Sequence, residues 1–326
     1  MARPVIQVTH LSKKFRELTA VDDVSFQVRE GEVFGFLGPN GAGKTTTINI
    51  ICTMLAPTAG EVTVNGRSVP GDQAAVRRMV GIIFQDPTLD NNLTVWENLY
   101  FHARLYHLPR RQIRARIEAS LELVGLADRR KSLVRFLSGG MKRRVEIARG
   151  VLHEPKILFL DEPTIGLDPQ TRQTIWEYVL DLKRRRGMTM FLTTHYLEEA
   201  EYCDRIAIID HGRIIALDTP SELKKTVHGD RVDLVTRHPD RALALLKEKT
   251  DFSPELADGR LRLSIIRSGE RIPLLFQLLG DEILELDVKK TSLDDVFIRL
   301  TGREIREGDA SARDRMKQRV HMRRRI

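Results

Sequence analysis

Eight consecutive residues, Gly38-Pro39-Asn40-Gly41-Ala42-Gly43-Lys44-Thr45, fit the pattern G-x-x-x-x-G-K-[ST] in full. They lie between the apolar run Val33–Leu37, suited to a buried parallel strand, and a helical stretch from about Gly43 to Leu55. Residues of these types in that order bind phosphate. Glycines let successive backbone N–H groups turn inward around phosphate oxygens, and the N-terminus of a helix adds partial positive charge. Lys44 can then reach β- and γ-phosphates, the Thr45 hydroxyl can ligate Mg²⁺, and Thr46 extends the nucleotide-binding surface.

A second group supplies carboxylates. The apolar strand Ile157-Leu158-Phe159-Leu160 ends in Asp161-Glu162. An acidic pair at a strand end is ordinarily a solvated turn. With a phosphate loop in the same chain, the pairing becomes chemical. Asp161 is placed to hold Mg²⁺ through water, and Glu162 to polarise an attacking water as general base. A third group, Leu137-Ser138-Gly139-Gly140-Met141, stands before a helix. Ser138, Gly139 and Gly140 at a helix start make a small anion-binding nest, although a serine-glycine pair alone is usually a simple cap.

The elements that must position these groups follow from periodicity. Residues 5–9 and 24–28 alternate as strands of an antiparallel edge sheet. Residues 87–150 carry apolar repeats at helical spacing, such as Leu121, Val124 and Leu126, and form an inserted helical subdomain. Strands return at Ile157–Leu160, Met190–Thr193 and Ile206–Ile209 with helices between, which predicts a mostly parallel sheet covered on both faces. The first domain, residues 1–225, closes near Pro220–Lys225. Residues 230–302 then follow a β-α-β-β-α-β order: Arg231–Thr236, Pro239–Lys249, a strand before the Asp258-Gly259 turn, Arg260–Ile266, Gly269–Leu279 and Glu282–Val288. That order predicts a small ferredoxin-like α+β domain. Residues 303–326 form a basic tail.

Composition bounds the function. The chain has 326 residues, 41% hydrophobic and 30% charged, a globular balance with no apolar run long enough to span a bilayer. The N-terminal residues lack a signal-peptide pattern. Cys52 and Cys203 are far apart, without metal-ligand spacing, and are expected as reduced thiols. The net charge of +8 is not a nucleic-acid footprint, because +5 of it comes from nine Lys/Arg and four Asp/Glu between Arg303 and Ile326. That tail is expected to be a solvated end, with contact to anionic lipid or nucleic acid as the alternative.

The order of phosphate loop, Ser138-Gly139-Gly140 and Asp161-Glu162 resembles that of ABC (ATP-binding cassette) transporter ATPases, with Leu137–Met141 as the signature motif. The resemblance covers residues 5 to about 225 and implies an α/β P-loop NTPase core with an antiparallel β edge and an inserted helical subdomain. It implies further roles: Gln85 in Phe84-Gln85-Asp86 as the metal- and water-sensing glutamine, Asp168 in Gly166-Leu167-Asp168 in the loop that crosses to a second subunit, His195 as the switch histidine, and Phe15 as the adenine-stacking aromatic. Met141 stands where glutamine is frequent, and Ile165 where serine is frequent; neither change removes a catalytic group. Together with Ser292–Gly302 ending a small C-terminal domain, they resemble the daunorubicin-resistance type of exporter.

The resemblance implies ATP and Mg²⁺ as cofactors, a homodimer of nucleotide-binding subunits, an integral membrane permease as partner and no nucleic acid. The expected location is the cytoplasmic face of the membrane. A hydrophobic drug or antibiotic is the expected cargo; lipid, polysaccharide or ion export, import, and a non-transport ABC ATPase of DNA repair or translation are the alternatives. A purely binding role is disfavoured because Lys44, Glu162 and His195 are all present.

Overall fold

Alternating burial along β1 (Pro4–Phe15) and β2 (Leu18–Arg29) places Ile6, Val8, Leu11, Val24, Phe26 and Val28 on one inward face. The two strands pair antiparallel. The computed structural model describes residues 4–227, 229–257, 259–265 and 268–302. The chain divides into two compact units, with the change between Leu217 and Asp218.

In the first unit, β3 (Val33–Leu37) is buried along its whole length and runs into the phosphate loop and α1 (Lys44–Ile51). The helix stops short of Leu55 because Thr53 takes a left-handed conformation, φ +65°, which ends the helical ladder. β4 (Ala59–Val64) and the two-residue β5 (Arg67–Ser68) complete a four-stranded sheet of order β2-β1-β4-β5. Next come α2 (Gln73–Met79) and β6 (Val80–Ile83).

The expected helical insertion is α3 (Val95–Leu105), α4 (Arg110–Leu123) and α5 (Gly139–Val151). Thr94 and Glu97 form a capping box on α3, and Ile113, Ile117, Leu121, Val124 and Leu126 are buried. The chain then returns through β7 (Ile157–Asp161), α6 (Pro169–Arg186), β8 (Thr189–Thr194), the short α7 (Leu197–Ala200), β9 (Arg205–Asp210) and β10 (Arg213–Asp218). The second sheet has the order β10-β9-β3-β8-β7-β6, and β9, β3, β8, β7 and β6 run parallel. Parallel strands end their chains on the same side, so the tips of β3, β7 and β8 gather the phosphate loop, Asp161-Glu162 and His195. Phe26 of the antiparallel sheet meets Phe34, Phe36 and Phe191 of the parallel one, with ring centroids 5.3 to 5.9 Å apart.

The second unit begins with α8 (Pro220–Lys225) and contains β11 (Asp230–Thr236), α9 (Pro239–Lys249), β12 (Glu255–Ala257), β13 (Arg260–Ile265), α10 (Ser268–Leu279), β14 (Ile283–Lys289) and α11 (Leu293–Thr301). Its antiparallel sheet has the order β12-β13-β11-β14. Val232, Leu234, Leu261, Leu263 and Ile265 pack with Leu246, Leu275 and Leu279 into a separate core. Asp258 of the expected turn, Ile266 of the expected strand and the basic tail 303–326 lie outside the described residues. Among the described residues no helix is long and apolar enough to cross a membrane.

Candidate functional site

The phosphate loop is shaped by close approach. A Cβ on Gly38 would stand 2.2 Å from the Ile209 carbonyl oxygen, and one on Gly43, at φ +107°, would stand 2.5 Å from that of Ala20. Only glycine fits both places. Ala42 is buried behind the loop and Pro39 is half-buried, while Asn40 and Gly41 face outward. Lys44 is 4% exposed, and its ammonium donates to the Gly38 carbonyl at 2.7 Å and the Pro39 carbonyl at 3.2 Å.

The same ammonium lies 3.3 Å from Glu162 Oε1, and His195 Nδ1 lies 3.3 Å from that oxygen too. Glu162 Oε2 is buried and meets no hydrogen-bonding partner among the described residues. Glu162 also holds φ at +46°, a left-handed conformation that costs a non-glycine residue about 1–3 kcal/mol and persists only when its surroundings over-determine it. Beside it, Asp161 Oδ1 accepts the Thr193 hydroxyl at 2.5 Å, and the same hydroxyl oxygen accepts the Glu162 N–H at 3.2 Å.

These environments push the two neighbouring carboxylates apart. Burial raises Asp161 above the usual carboxylate range, against the opposing pull of the Thr193 hydroxyl. Burial also pushes Glu162 upward, but His195 and Lys44 outweigh it and leave that group below its usual value. Lys44 is drawn down by burial, with Glu162 and Asp161 resisting.

Phe15, Asn40, Gly41, Gly43, Lys44, Thr45, Thr46, Gln85, Glu162 and His195 line one cleft of 570 Å³, a volume suited to a nucleotide. Phe15 is 44% exposed at the cleft edge, with the Lys13 ammonium 5.1 Å from its ring centre. Ser138, Gly139, Gly140 and Asp168 are not on this cleft. Ser138 is the exposed N-cap of α5, its oxygen accepting the Met141 N–H at 3.2 Å. Asp168 caps α6 through Thr171, whose hydroxyl and N–H hold its carboxyl below the usual range. A Cβ on Gly140 would meet Thr171 Cγ2 at 2.5 Å, so glycine there permits α5 and α6 to start side by side.

Mg²⁺ needs oxygen donors, and the site offers them. Among the described residues no three His, Cys, Asp or Glu side chains are gathered to hold a metal alone. Asp161 instead accepts the Thr193 hydroxyl and directly precedes Glu162, which lines the cleft with Thr45 and Gln85. One carboxylate among neutral oxygens suits a cation that arrives with phosphate and keeps much of its water. The residues fit.

Residues 21–165 match the model of the ABC transporter family. A daunorubicin resistance ATP-binding protein of Streptomyces coeruleorubidus is 39% identical, over 95% of this chain and all of that one. The chain belongs to the ABC transporter ATPases. A Nod factor export ATP-binding protein of Ralstonia nicotianae is 40% identical over 93% of this chain and 96% of its own. The dimeric ATP-binding cassette MJ0796, solved with ADP and Pi, matches at 28% identity with a TM-score of 0.60, over 66% of this chain and 98% of that one.

The ABC fold also brings in residues that sequence patterns did not single out. Leu18 and Ala20 reach the cleft from β2, and Tyr196 from beside His195, under the Arg172 guanidinium at 4.1 Å. Glu199, 1% exposed, accepts the hydroxyls of Thr164 and Thr194. Its place four residues after His195 is a signal visible in the sequence; its partner Thr164 is not.

Proposed function

We propose that this ABC ATPase hydrolyses ATP in the Lys44 cleft, as one of two copies, and drives export through a separate membrane permease. The observation that carries the reading is Glu162: strained at φ +46°, with Lys44 and His195 each 3.3 Å from one oxygen and its second oxygen left over for a water. That oxygen takes the proton as water attacks the γ-phosphate. His195 and Lys44 fix the carboxylate, and Lys44 supplies positive charge where the transition state accumulates negative charge. The loop N–H groups between Gly38 and Thr46 cradle the phosphates, and Phe15 stacks on the adenine. Thr45, Asp161 and Gln85 would hold Mg²⁺, which would supply positive charge to the phosphates when bound.

Ser138 and Gly139 stand exposed, Gly140 is half-buried, and none of them lines their own cleft, which supports a site completed by a second copy, with Asp168 at the crossing loop. A dimeric cassette among the structural relatives agrees with this. Mixing chains tests it. A Ser138→Arg chain and a Glu162→Gln chain are each inactive alone; random pairing of equal amounts recovers activity, up to roughly a quarter of the wild-type rate. No recovery on mixing refutes the shared site.

Relatives that confer drug resistance or export Nod factor support export of a hydrophobic drug or antibiotic, and a location at the cytoplasmic face of the membrane beside the permease. The proposed domains are 1–225, with the helical subdomain at about 87–150, and 230–302, followed by the tail 303–326. The β-α-β-β-α-β order and the sheet order β12-β13-β11-β14 support a ferredoxin-like class for the second of these.

A further inference from the structure

One buried cation has no part in this scheme. Arg143 lies on α5, downstream of Ser138, and is 6% exposed. Its guanidinium serves four backbone carbonyls from two other segments. Nε donates to Pro163 at 2.5 Å, Nη2 to Asp161 at 3.3 Å and to Glu162 at 3.2 Å, and Nη1 to Phe84 at 2.5 Å. Nη1 also meets Glu146 at 2.9 Å. Glu146, fully buried, accepts the Thr88 N–H at 2.8 Å and has Arg149 3.7 Å away.

A planar guanidinium with all its donors engaged is a rigid fork, and a buried charge stays folded only while those partners hold. The fork grips the peptide units on both sides of Glu162, whose left-handed φ needs such restraint. The same fork grips Phe84, the neighbour of Gln85. One helix therefore carries Ser138 at its exposed end and, further along, the clamp on the protomer's own Glu162 and Gln85.

We infer that Arg143 is a positioning residue that couples the two nucleotide sites of the dimer. This rests on the two-copy reading above. When the Ser138 end of α5 closes on the partner's nucleotide, the helix moves as a body. Through Arg143 it moves the backbone that sets Glu162 and Gln85 in its own cleft. Occupation of one site thereby sets the other for hydrolysis.

The test is steady-state ATPase activity of the full chain against ATP concentration, for wild type and the double variant Arg143→Gln, Glu146→Gln, which removes both charges of the buried pair, keeps an acceptor for the Thr88 N–H and leaves Arg149 on its Thr88 hydrogen bonds. Wild type is expected to give a Hill coefficient above one, approaching about two for two coupled sites. The variant is expected to give about one, with kcat lowered about tenfold and KM within about twofold, because no cleft residue is altered. A purely structural role would lower the rate and leave the Hill coefficient alone. A variant curve as sigmoidal as wild type, or a wild-type curve already hyperbolic, overturns the inference. Should the double variant fail to fold, Arg143→Lys serves: it keeps the charge but not the fork, and an unchanged Hill coefficient there overturns the inference equally. If Glu162→Gln with Arg143 intact does not pair on ATP, the two-copy reading fails on its own account.

Discussion

Replacing Thr193 by valine changes one hydroxyl for a methyl at a wholly buried position and keeps the shape of the side chain. The hydroxyl donates to Asp161 Oδ1 at 2.5 Å and receives the Glu162 N–H at 3.2 Å, while that N–H keeps its bond to the Thr193 carbonyl at 3.0 Å. The loss is therefore one hydrogen bond to a buried charged oxygen, worth about 1.5–3 kcal/mol. In a unit of this size each kcal/mol moves the midpoint by about 2–4 °C, so Thr193→Val should melt about 3–12 °C lower by circular dichroism. Function should shift in a specific direction as well. The hydroxyl opposes the upward push of burial on Asp161, so without it the carboxylate is harder to ionise. The Mg²⁺ concentration for half-maximal ATPase activity at pH 7 should rise about tenfold, the equivalent of 1.4 kcal/mol. A variant with the wild-type melting point and the wild-type Mg²⁺ requirement would refute the assignment of Thr193 as the donor that holds Asp161.

Three further outcomes follow from the geometry. His102 is pushed down to about 3 by burial, then by Arg149 and His153, so the folded chain keeps it neutral where the unfolded chain protonates it near 6.5. Stability from this group is complete above that value and is lost as pH falls toward the folded one; about 2 kcal/mol should be gone at pH 5. His102→Phe should reduce the drop in melting temperature between pH 7 and pH 5, and an equal drop in both proteins would contradict the buried neutral imidazole. The phosphate-loop glycines separate two costs. Gly41→Ala meets nothing within 4 Å but keeps φ +82°, and should cost about 1–2 kcal/mol in urea unfolding. Gly38→Ala drives a methyl into the Ile209 carbonyl at 2.2 Å and should cost about 3 kcal/mol or more and weaken nucleotide binding. Equal costs would sink the steric account.

Local patterns carried much of the fold. Pro239–Lys249 is a helix within the stated bounds, and the strands ending at Asp161 and Thr194 stand where their apolar runs placed them. The phosphate loop, Asp161-Glu162 and His195 converge because parallel strands deliver their tips to one edge, a consequence of topology already legible in β-α alternation. β4 lies outside the expected strands: its alternation, Glu61-Val62-Thr63-Val64, spans only four residues, and the strand gains its identity by pairing with β1. The network around Arg143 was hidden for the same reason. Its partners are carbonyls from two other segments, and no sequence pattern reports where a carbonyl points.

Glu162→Gln tests the central claim most directly. ATP turnover by the purified full chain would be measured with Mg²⁺, beside sizing of the same protein with and without ATP. The account predicts at least about a hundredfold loss of turnover, the usual contribution of a general base, with an ATP-stabilised dimer retained because only the proton acceptor is gone. Undiminished hydrolysis in the variant would contradict the assignment of Glu162 as the base, and with it the mechanism built on the Lys44–Glu162–His195 cluster.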